Sequence, residues 1–274
     1  MATIMDKFSL EGRTALVTGG AGLLGRQFTQ ALGEAGANVV VADLNLGQAS
    51  VHAQTLAGAG LNAMAVQVDV TDPASAEAMA QQAVAAFGSL DVIVNSAALD
   101  PKFDPENLYD QSANAFETYP LDSWKQALDV NLTGMFLTCQ AAARQMVRQG
   151  SGVIVNICSI YGLVGPDQRL YERPDGPRQY KPVYYTVSKA GVLGLTKYLA
   201  TYYAGQRIRV NALTPGGVFN QHDETFLKVY SARTVMGRMA RQDEMSGAVV
   251  FLASDASSYM TGANLVVDGG WTAW

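Results

Sequence analysis

The chain has 274 residues, of which 49% are hydrophobic and 16% charged, and its formal net charge is −5. The hydrophobic content excludes a disordered chain, and the acidic balance excludes a nucleic-acid-binding protein, which would need a basic surface. Two cysteines, Cys139 and Cys158, stand far apart, so neither a disulfide scaffold nor a metal site is predicted. We see no signal-peptide pattern and no apolar run long enough to span a membrane. A cytoplasmic globular protein is expected.

Seven short apolar segments alternate with helix-like segments. The predicted strands are residues 13–18, 38–43, 63–69, 90–95, 152–157, 208–213 and 264–268, and the predicted helices are 22–36, 45–60, 73–87, 122–149, 183–203 and 242–254. Because the strands are continuous apolar runs, we expect them to be buried on both faces. Strands that alternate with helices predict an α/β fold with a doubly wound parallel sheet. No linker or repeat divides the chain, so residues 1–274 are expected to form one domain.

Three long segments interrupt this alternation, at residues 99–121, 161–182 and 216–240. The first is acidic, and the second carries the basic residues Arg169, Arg173, Arg178 and Lys181. All three leave from the carboxyl ends of predicted strands, where ligands bind in such sheets. We expect them to enclose a substrate, although decoration of the surface remains the alternative.

A glycine-rich segment containing Gly19, Gly22 and Gly25 separates the first strand from the first helix. Glycines here let the backbone approach a pyrophosphate at the N-terminus of the helix; an ordinary strand–helix turn is the alternative. Asp43 ends the second strand, where a carboxylate accepts hydrogen bonds from a ribose and repels a 2′-phosphate. The sequence therefore predicts NAD rather than NADP, unless Asp43 only caps a helix.

Tyr185 and Lys189 are four residues apart on a predicted helix and so share one face. An ammonium beside a phenol favours the phenolate, so we expect Lys189 to lower the pKa of Tyr185 and make it an acid–base group. A surface pair is the alternative. Tyr184 is five residues from Lys189 and is expected to point elsewhere.

With this pair and the glycines, the sequence resembles the short-chain dehydrogenase/reductase family, classical type, from about residue 10 to residue 268. The resemblance rests further on Asp69-Val70, Asn95-Ser96-Ala97-Ala98, Asn131, Ser159, Pro215-Gly216 and Val267-Asp268-Gly269-Gly270. It implies a Rossmann fold with a seven-stranded parallel sheet, and an oxidoreductase that uses NAD to interconvert a secondary alcohol and a carbonyl.

The resemblance also implies roles for individual residues. Tyr185 would exchange a proton with the substrate oxygen, Ser159 would hydrogen-bond that oxygen, and Lys189 would hold the nicotinamide ribose. Asn131 would support a water relay to Lys189, although a buried asparagine that satisfies helix backbone is the alternative. The implied cofactor-binding positions are Gly19, Gly22, Leu24, Gly25, Asp43, Leu44, Asp69, Val70, Asn95, Ala97, Tyr185, Lys189, Pro215, Gly216 and Val218.

Three features depart from the family pattern. Leu23 stands where the classical pattern has glycine, and Asn220 where it has threonine. Ser159 and Tyr185 are 26 residues apart, about twice the family's usual separation, which predicts an insertion at the mouth of the site.

The resemblance to bacterial sugar and polyol dehydrogenases implies a sugar, sugar acid or polyol as substrate. A biosynthetic ketoreductase, a surface-glycan or sugar-nucleotide-modifying enzyme, and a catalytically idle NAD-binding scaffold remain alternatives. The family also implies a homotetramer built through helices 122–149 and 183–203 and the last strand. The apolar tail, residues 270–274, is expected to be buried at a subunit contact.

Overall fold

The seven strands form one parallel sheet with the order β3-β2-β1-β4-β5-β6-β7. They are β1 (Thr14–Thr18), β2 (Asn38–Asp43), β3 (Ala63–Gln67), β4 (Val92–Asn95), β5 (Ser151–Ile157), β6 (Arg207–Pro215) and β7 (Asn264–Val267). The computed structural model describes residues 3–100, 114–172 and 179–274. Arg173 and Arg178 lie outside the described residues. The predicted doubly wound parallel sheet is confirmed.

Helices cover both faces of this sheet. They are α1 (Leu23–Glu34), α2 (Leu46–Gly58), α3 (Pro73–Phe87), α4 (Leu121–Leu128), α5 (Gly134–Gln149), α6 (Val183–Tyr202), α7 (Glu224–Arg233) and α8 (Ser246–Ala253). Leu16 and Ile93 face one core, which α3, α5 and α6 cover, whereas Val17 and Val94 face the other, which α1, α2 and α8 cover. Because neighbouring strand residues enter opposite cores, the strands are apolar throughout.

The start of α3 shows how local sequence sets an element boundary. Asp72 accepts hydrogen bonds from the backbone N–H groups of Ala74 and Ser75, at 3.0 and 3.2 Å, and Pro73 takes the first helical position. Proline loses nothing there because that N–H would have no partner within the helix. Asp72 and Pro73 together therefore set where α3 begins.

Two predicted segments differ from the structure. The helix predicted over 122–149 is two helices joined by a π-helical turn, Asp129–Thr133. Asn131 lies in that turn and bonds the backbone of Leu99 twice, accepting from its N–H at 2.6 Å and donating to its carbonyl at 3.0 Å. The loop predicted over 216–240 contains α7, which Asp223 caps by accepting from the Phe226 N–H at 2.9 Å.

The strand order reverses direction between β1 and β4, and this switch point positions the site. From β1 the chain builds outward through β2 and β3, and from β4 it builds the other way through β5 to β7. A crevice forms at the carboxyl ends of strands where such a reversal occurs. Within the described ranges, no helix combines the length and the hydropathy needed to cross a bilayer.

Candidate active site

The glycine-rich turn between β1 and α1 is too crowded for side chains. A Cβ on Gly19 would lie 2.9 Å from the Cα of Ala97, and a Cβ on Gly25 would overlap the Gly19 carbonyl. Helix α1 begins at Leu23, and no side chain among the described residues caps it. Its first N–H groups can therefore bind an anion such as a pyrophosphate. Leu23 itself is accommodated as the first helical residue.

Asp43 connects the glycine-rich turn to the end of β2. Its carboxylate accepts from the backbone N–H of Ala21 at 3.1 Å and from that of Asn45 at 3.0 Å. The cap of α2 is Asn45, which accepts from the N–H of Gln48 at 3.0 Å, so the interpretation of Asp43 as the helix cap is wrong. The carboxylate remains partly exposed beside Leu44, whose side chain is exposed.

The predicted adenosine-side residues differ in what they can offer a ligand. The amide of Asn95 is buried, donates to Asn156 Oδ1 at 2.9 Å and accepts from the hydroxyl of Thr138 at 2.7 Å. Its side chain is thus used within the core, and its backbone is what can face the crevice. Asp69 is exposed and accepts from the N–H and hydroxyl of Thr71.

The segment after β6 lies against the end of β7. Gly216 donates to the carbonyl of Val267 at 2.9 Å, and a Cβ on it would lie 2.8 Å from the Cα of Asp268. Val218 then pairs in parallel with Ala240. Together with the crowded glycines, the open end of α1 and Asp43, this backbone fits a dinucleotide laid across the switch point.

Three predicted catalytic residues meet at the ends of β5 and α6. Lys189 Nζ donates to the carbonyl of Ile157 at 3.0 Å and lies 5.8 Å from the centroid of the Tyr185 ring. Ser159, which follows β5, lies near enough to the Tyr185 phenol to act on its pKa as a hydrogen-bond partner. The fourth residue, Asn131, is buried, and its amide approaches the hydroxyl of Ser188 at 3.4 Å. Asn131 thus satisfies the backbone of Leu99, in the segment after β4, rather than helix backbone.

The pKa of Tyr185 is raised well above its usual value, contrary to expectation. Burial is the largest cause and the negative charge of Asp100 the second, while the hydrogen bond with Ser159 acts the other way. The Lys189 ammonium is directed at Ile157, and burial lowers the pKa of Lys189 as well. In this arrangement Tyr185 holds its proton at neutral pH and can donate it to a substrate oxygen.

Tyr184 occupies a separate place, as its spacing predicts. It is buried, and its ring lies 6.2 Å from that of Tyr119, tilted by 51°. Burial raises the pKa of the Tyr184 phenol. It is a packing residue between α6 and the segment that precedes α4.

Sequence reasoning missed Lys181 as a residue of the site. Its Nζ lies 4.1 Å from the centroid of the Tyr185 ring and pairs with Asp100 Oδ1 at 2.5 Å. The signal was present in the spacing, because Lys181 precedes Tyr185 by the same four residues by which Lys189 follows it. Lys181 falls in a predicted loop, where a four-residue spacing does not indicate a shared helix face.

An aromatic cluster forms one wall beside Tyr185. The ring of Tyr161 lies edge-on to Tyr185 at 6.5 Å, and the Tyr171 hydroxyl donates to that of Tyr161 at 3.2 Å. The cluster continues through Phe226 and Tyr230 to Trp271, which stacks on Tyr230 at 4.3 Å. Trp271 is thus buried within its own chain, and that part of the apolar tail needs no subunit contact. Trp274 is 78% exposed.

Comparison with known proteins agrees with this geometry. The sequence pattern of the family described as enoyl-(acyl carrier protein) reductase matches residues 20–272. The cis-4-hydroxycyclohexanecarboxylate dehydrogenase of Sinomonas cyclohexanicum is 38% identical over 95% of this chain and 97% of its own length. The D-threitol dehydrogenase of Mycolicibacterium smegmatis is 36% identical, over 97% of this chain and 95% of its own.

A solved structure extends the likeness to three dimensions. The gluconate 5-dehydrogenase from Burkholderia cenocepacia, in complex with NADP and tartrate, has a TM-score of 0.86 and 31% identity, covering 99% of this chain and 100% of its own. The chain belongs to the short-chain dehydrogenase/reductase family. This membership confirms the resemblance seen in the sequence and the predicted oxidoreductase class. The cofactor of this short-chain dehydrogenase/reductase is a nicotinamide dinucleotide, NAD or NADP.

Proposed function

We propose that the protein is an NAD-dependent dehydrogenase that interconverts a secondary alcohol and a ketone on a small hydroxylated substrate. The observation that carries this proposal is the convergence of Ser159, Tyr185 and Lys189 at the switch point of the sheet. The substrate is a sugar, sugar acid, polyol or cyclic hydroxy acid. Relatives named for threitol and for hydroxycyclohexanecarboxylate support this range.

The residues of the chain divide the work around one substrate oxygen. When bound, a nicotinamide dinucleotide would supply the hydride exchange with the carbinol carbon. Tyr185 moves the proton at the substrate oxygen, and Ser159 hydrogen-bonds the same oxygen. Lys189, whose ammonium donates to the carbonyl of Ile157, would hold the nicotinamide ribose.

Asp43 supports NAD over NADP. Its carboxylate lies at the end of β2 beside the glycine-rich turn, and two backbone N–H groups hold it in place. A fixed carboxylate at this point accepts bonds from ribose hydroxyls and repels a 2′-phosphate.

The reductive direction is a second candidate for the physiological reaction. Burial and the charge of Asp100 keep Tyr185 protonated, and a protonated phenol is the form that donates to a developing alkoxide. A biosynthetic ketoreductase needs such a proton donor. Comparing initial rates of ketone reduction and alcohol oxidation at one pH near neutrality distinguishes the two directions.

We also propose a cytoplasmic homotetramer. A groove between α5 and α6 exposes Phe136, Val147, Tyr198 and Tyr202, and β7, at the edge of the sheet, exposes Val266. Exposed apolar surface of this extent is typical of subunit contacts. One chain thus has two separate exposed apolar faces. Each face can form its own twofold contact with another copy, and two kinds of twofold contact are enough to close a tetramer.

The proposed activity is tested by NAD reduction with the purified protein. The panel holds 4-hydroxycyclohexanecarboxylate, threitol, gluconate and rhamnose, each with NAD and with NADP. We expect NAD reduction with at least one of these alcohols and loss of that activity in Tyr185→Phe. Reduction of an enoyl thioester in place of alcohol oxidation would overturn the proposal.

A further inference from the structure

Lys181 carries a buried positive charge at the reacting tyrosine. Its Nζ lies 4.1 Å from the centroid of the Tyr185 ring, nearer than Lys189 Nζ at 5.8 Å. The Lys181 side chain is only 12% exposed, although lysine is normally solvated. An ammonium that is largely withdrawn from water is stabilised by an anion beside it.

The backbone on either side fixes Lys181 relative to Tyr185. The N–H of Lys181 donates to Gln168 Oε1 at 2.9 Å. The next residue, Pro182, precedes the first turn of α6, and its carbonyl accepts from the N–H of Tyr185 at 3.1 Å. The backbone that carries the Lys181 and Tyr185 side chains is therefore bonded on both sides of Pro182.

Among the described residues, Lys181 pairs with the carboxylate of Asp100, at 2.5 Å. Asp100 is 56% exposed, so half of this ion pair remains in water. Such pairs contribute little to stability, and another carboxylate can replace Asp100 at small cost. The exchange of one carboxylate for another also leaves the net charge beside Tyr185 unchanged.

Arg169, in the same insertion, shows the contrasting case. It is 75% exposed and uses two nitrogens to bind Asp167, as a solvated surface charge does. Position along the insertion thus does not explain why Lys181 turns inward. Its place beside Tyr185 points to a role in the site.

We propose that Lys181 binds a carboxylate of the substrate, which displaces Asp100, so that the substrates are secondary alcohols that carry a carboxylate. The inference rests on the proposed dehydrogenase function and narrows its substrate class. Tyr161 and the aromatic cluster beyond it cover the carbon skeleton while Lys181 holds the acid group. A hydroxy acid is held in this way at its carboxylate by Lys181 and at its hydroxyl oxygen by Tyr185.

Matched substrates test the carboxylate itself. We compare 4-hydroxycyclohexanecarboxylate with its carboxamide and with 4-hydroxycyclohexylphosphonate. The wild-type enzyme is expected to favour the carboxylate over the amide by at least about tenfold in kcat/KM. Equal use of acid and amide, or a preference for the phosphonate, would overturn the proposal while leaving a working dehydrogenase.

Substitution of Lys181 tests the residue. Lys181→Met keeps the methylene stem, and we expect the acid to lose about tenfold to a hundredfold in kcat/KM, mainly through KM, with the amide changed less than about threefold. Lys181→Arg should restore most of the acid's rate, and Arg169→Met should leave both substrates unchanged. An equal fall in kcat for acid and amide would show that Lys181 acts only on Tyr185, and the proposal would be wrong.

A binding experiment separates this inference from the proposed activity. Cyclohexanecarboxylate has no hydroxyl to oxidise, and calorimetry with the protein and NADH measures its binding against that of cyclohexanecarboxamide. We expect the acid to bind the wild-type protein and to lose at least about tenfold in affinity with Lys181→Met. Unchanged binding would overturn the assignment of Lys181, whereas binding without turnover of any alcohol would overturn only the dehydrogenase.

Discussion

Lys189 Nζ donates a 3.0 Å hydrogen bond to the carbonyl oxygen of Ile157, and this bond joins the helix of Tyr185 to the strand that leads to Ser159. The Cys158 thiol adds a second link, to the carbonyl of Lys189 at 3.2 Å. Gly162 is close-packed here, since a Cβ on it would lie 2.7 Å from that carbonyl oxygen. The three catalytic residues are therefore positioned by the packing of β5 against α6.

Replacement of Tyr185 by phenylalanine tests its role in proton transfer. Tyr185→Phe keeps the ring against Tyr161 and removes the proton that moves at the substrate oxygen. We expect kcat to fall by at least about a hundredfold, the low end for general acid–base catalysis, while NAD binding persists. Steady-state rates and a fluorescence titration with NADH measure the two quantities.

Tyr184→Phe is the matched control. Tyr184 is the neighbouring tyrosine, and its ring packs on Tyr119 away from the reacting groups. Turnover in this variant should stay close to that of the wild type. Loss of activity in Tyr184→Phe with activity kept in Tyr185→Phe would show that the catalytic assignment is wrong.

The fold could be predicted from the sequence because apolar runs mark the strands, and capping residues and prolines mark where helices begin. Asp72 and Pro73 marked the start of α3, and Tyr185 and Lys189 marked one helix face. The π-helical turn around Asn131 could not be predicted, because the residue that Asn131 bonds there, Leu99, is distant in the sequence.

The pKa shifts and ion pairs of the site were harder to predict than the residues that form it. A phenol four residues from a lysine suggested a lowered pKa, but burial of Tyr185 outweighs that effect. Lys181 turns inward over Tyr185 and pairs with Asp100, which belongs to another loop. Both effects arise from tertiary packing, which spacing along the chain does not encode.

Asp43 is expected to determine the choice of cofactor. Asp43→Asn removes the charge that repels a 2′-phosphate and keeps an oxygen for one of the two N–H groups that it binds. The wild type should favour NAD over NADP by at least about tenfold in kcat/KM, some 1.4 kcal/mol, and the variant should lose that preference. Kinetics with both dinucleotides measure it.

Asn45→Ala separates the cofactor effect from the loss of local structure. This substitution removes the cap of α2 two residues away and should lower the free energy of unfolding by about 1 kcal/mol without changing the cofactor preference. Equal use of NAD and NADP by the wild type would show that Asp43 does not select the cofactor.

Asp100→Asn should move the pH dependence of alcohol oxidation. The charge of Asp100 raises the pKa of Tyr185, so its removal lowers that pKa, and the phenolate that accepts the alcohol proton forms at lower pH. The rise of kcat/KM with pH, which reports the free enzyme in which Asp100 still pairs with Lys181, should shift to lower pH relative to the wild type. The control is Asp243→Asn, an exposed carboxylate paired with Arg241, which should leave the profile in place. A shift to higher pH would contradict the prediction.

His52 should make the fold less stable in mild acid. It is buried between α1 and α2, bonded to the Thr29 hydroxyl at 2.8 Å, and burial followed by the charge of Arg26 lowers its pKa below the usual 6.5. The unfolded chain therefore takes up the proton first, so the stabilisation is complete above about pH 6.5 and is lost as the pH falls towards the lower folded value.

Urea unfolding at pH 7.5 and pH 5.5 (chosen here as about one unit either side of the ordinary histidine value) measures this effect. His52→Gln cannot titrate and should lose less free energy of unfolding between the two conditions than the wild type. His222→Gln removes the other histidine, whose pKa burial also lowers, and shows how much of the change belongs to that site. Identical pH dependence in the wild type and in His52→Gln would contradict the prediction.

The exposed tyrosines of α6 are expected to be buried between subunits. Tyr198 and Tyr202 are 62% and 64% exposed and stack on each other at 6.0 Å beside the groove that Phe136 and Val147 also line. Light scattering at micromolar concentration should give a mass close to four times the 29.1 kDa of one chain. Tyr198→Glu combined with Tyr202→Glu places charge in that contact and should give dimers held by the β7 side, because a charge buried without a partner is strongly unfavourable.

Tyr259→Glu, at a fully exposed tyrosine that precedes β7, tests the second face in the same way. A wild-type monomer, or an unchanged mass in all of these variants, would show that neither face forms the contact.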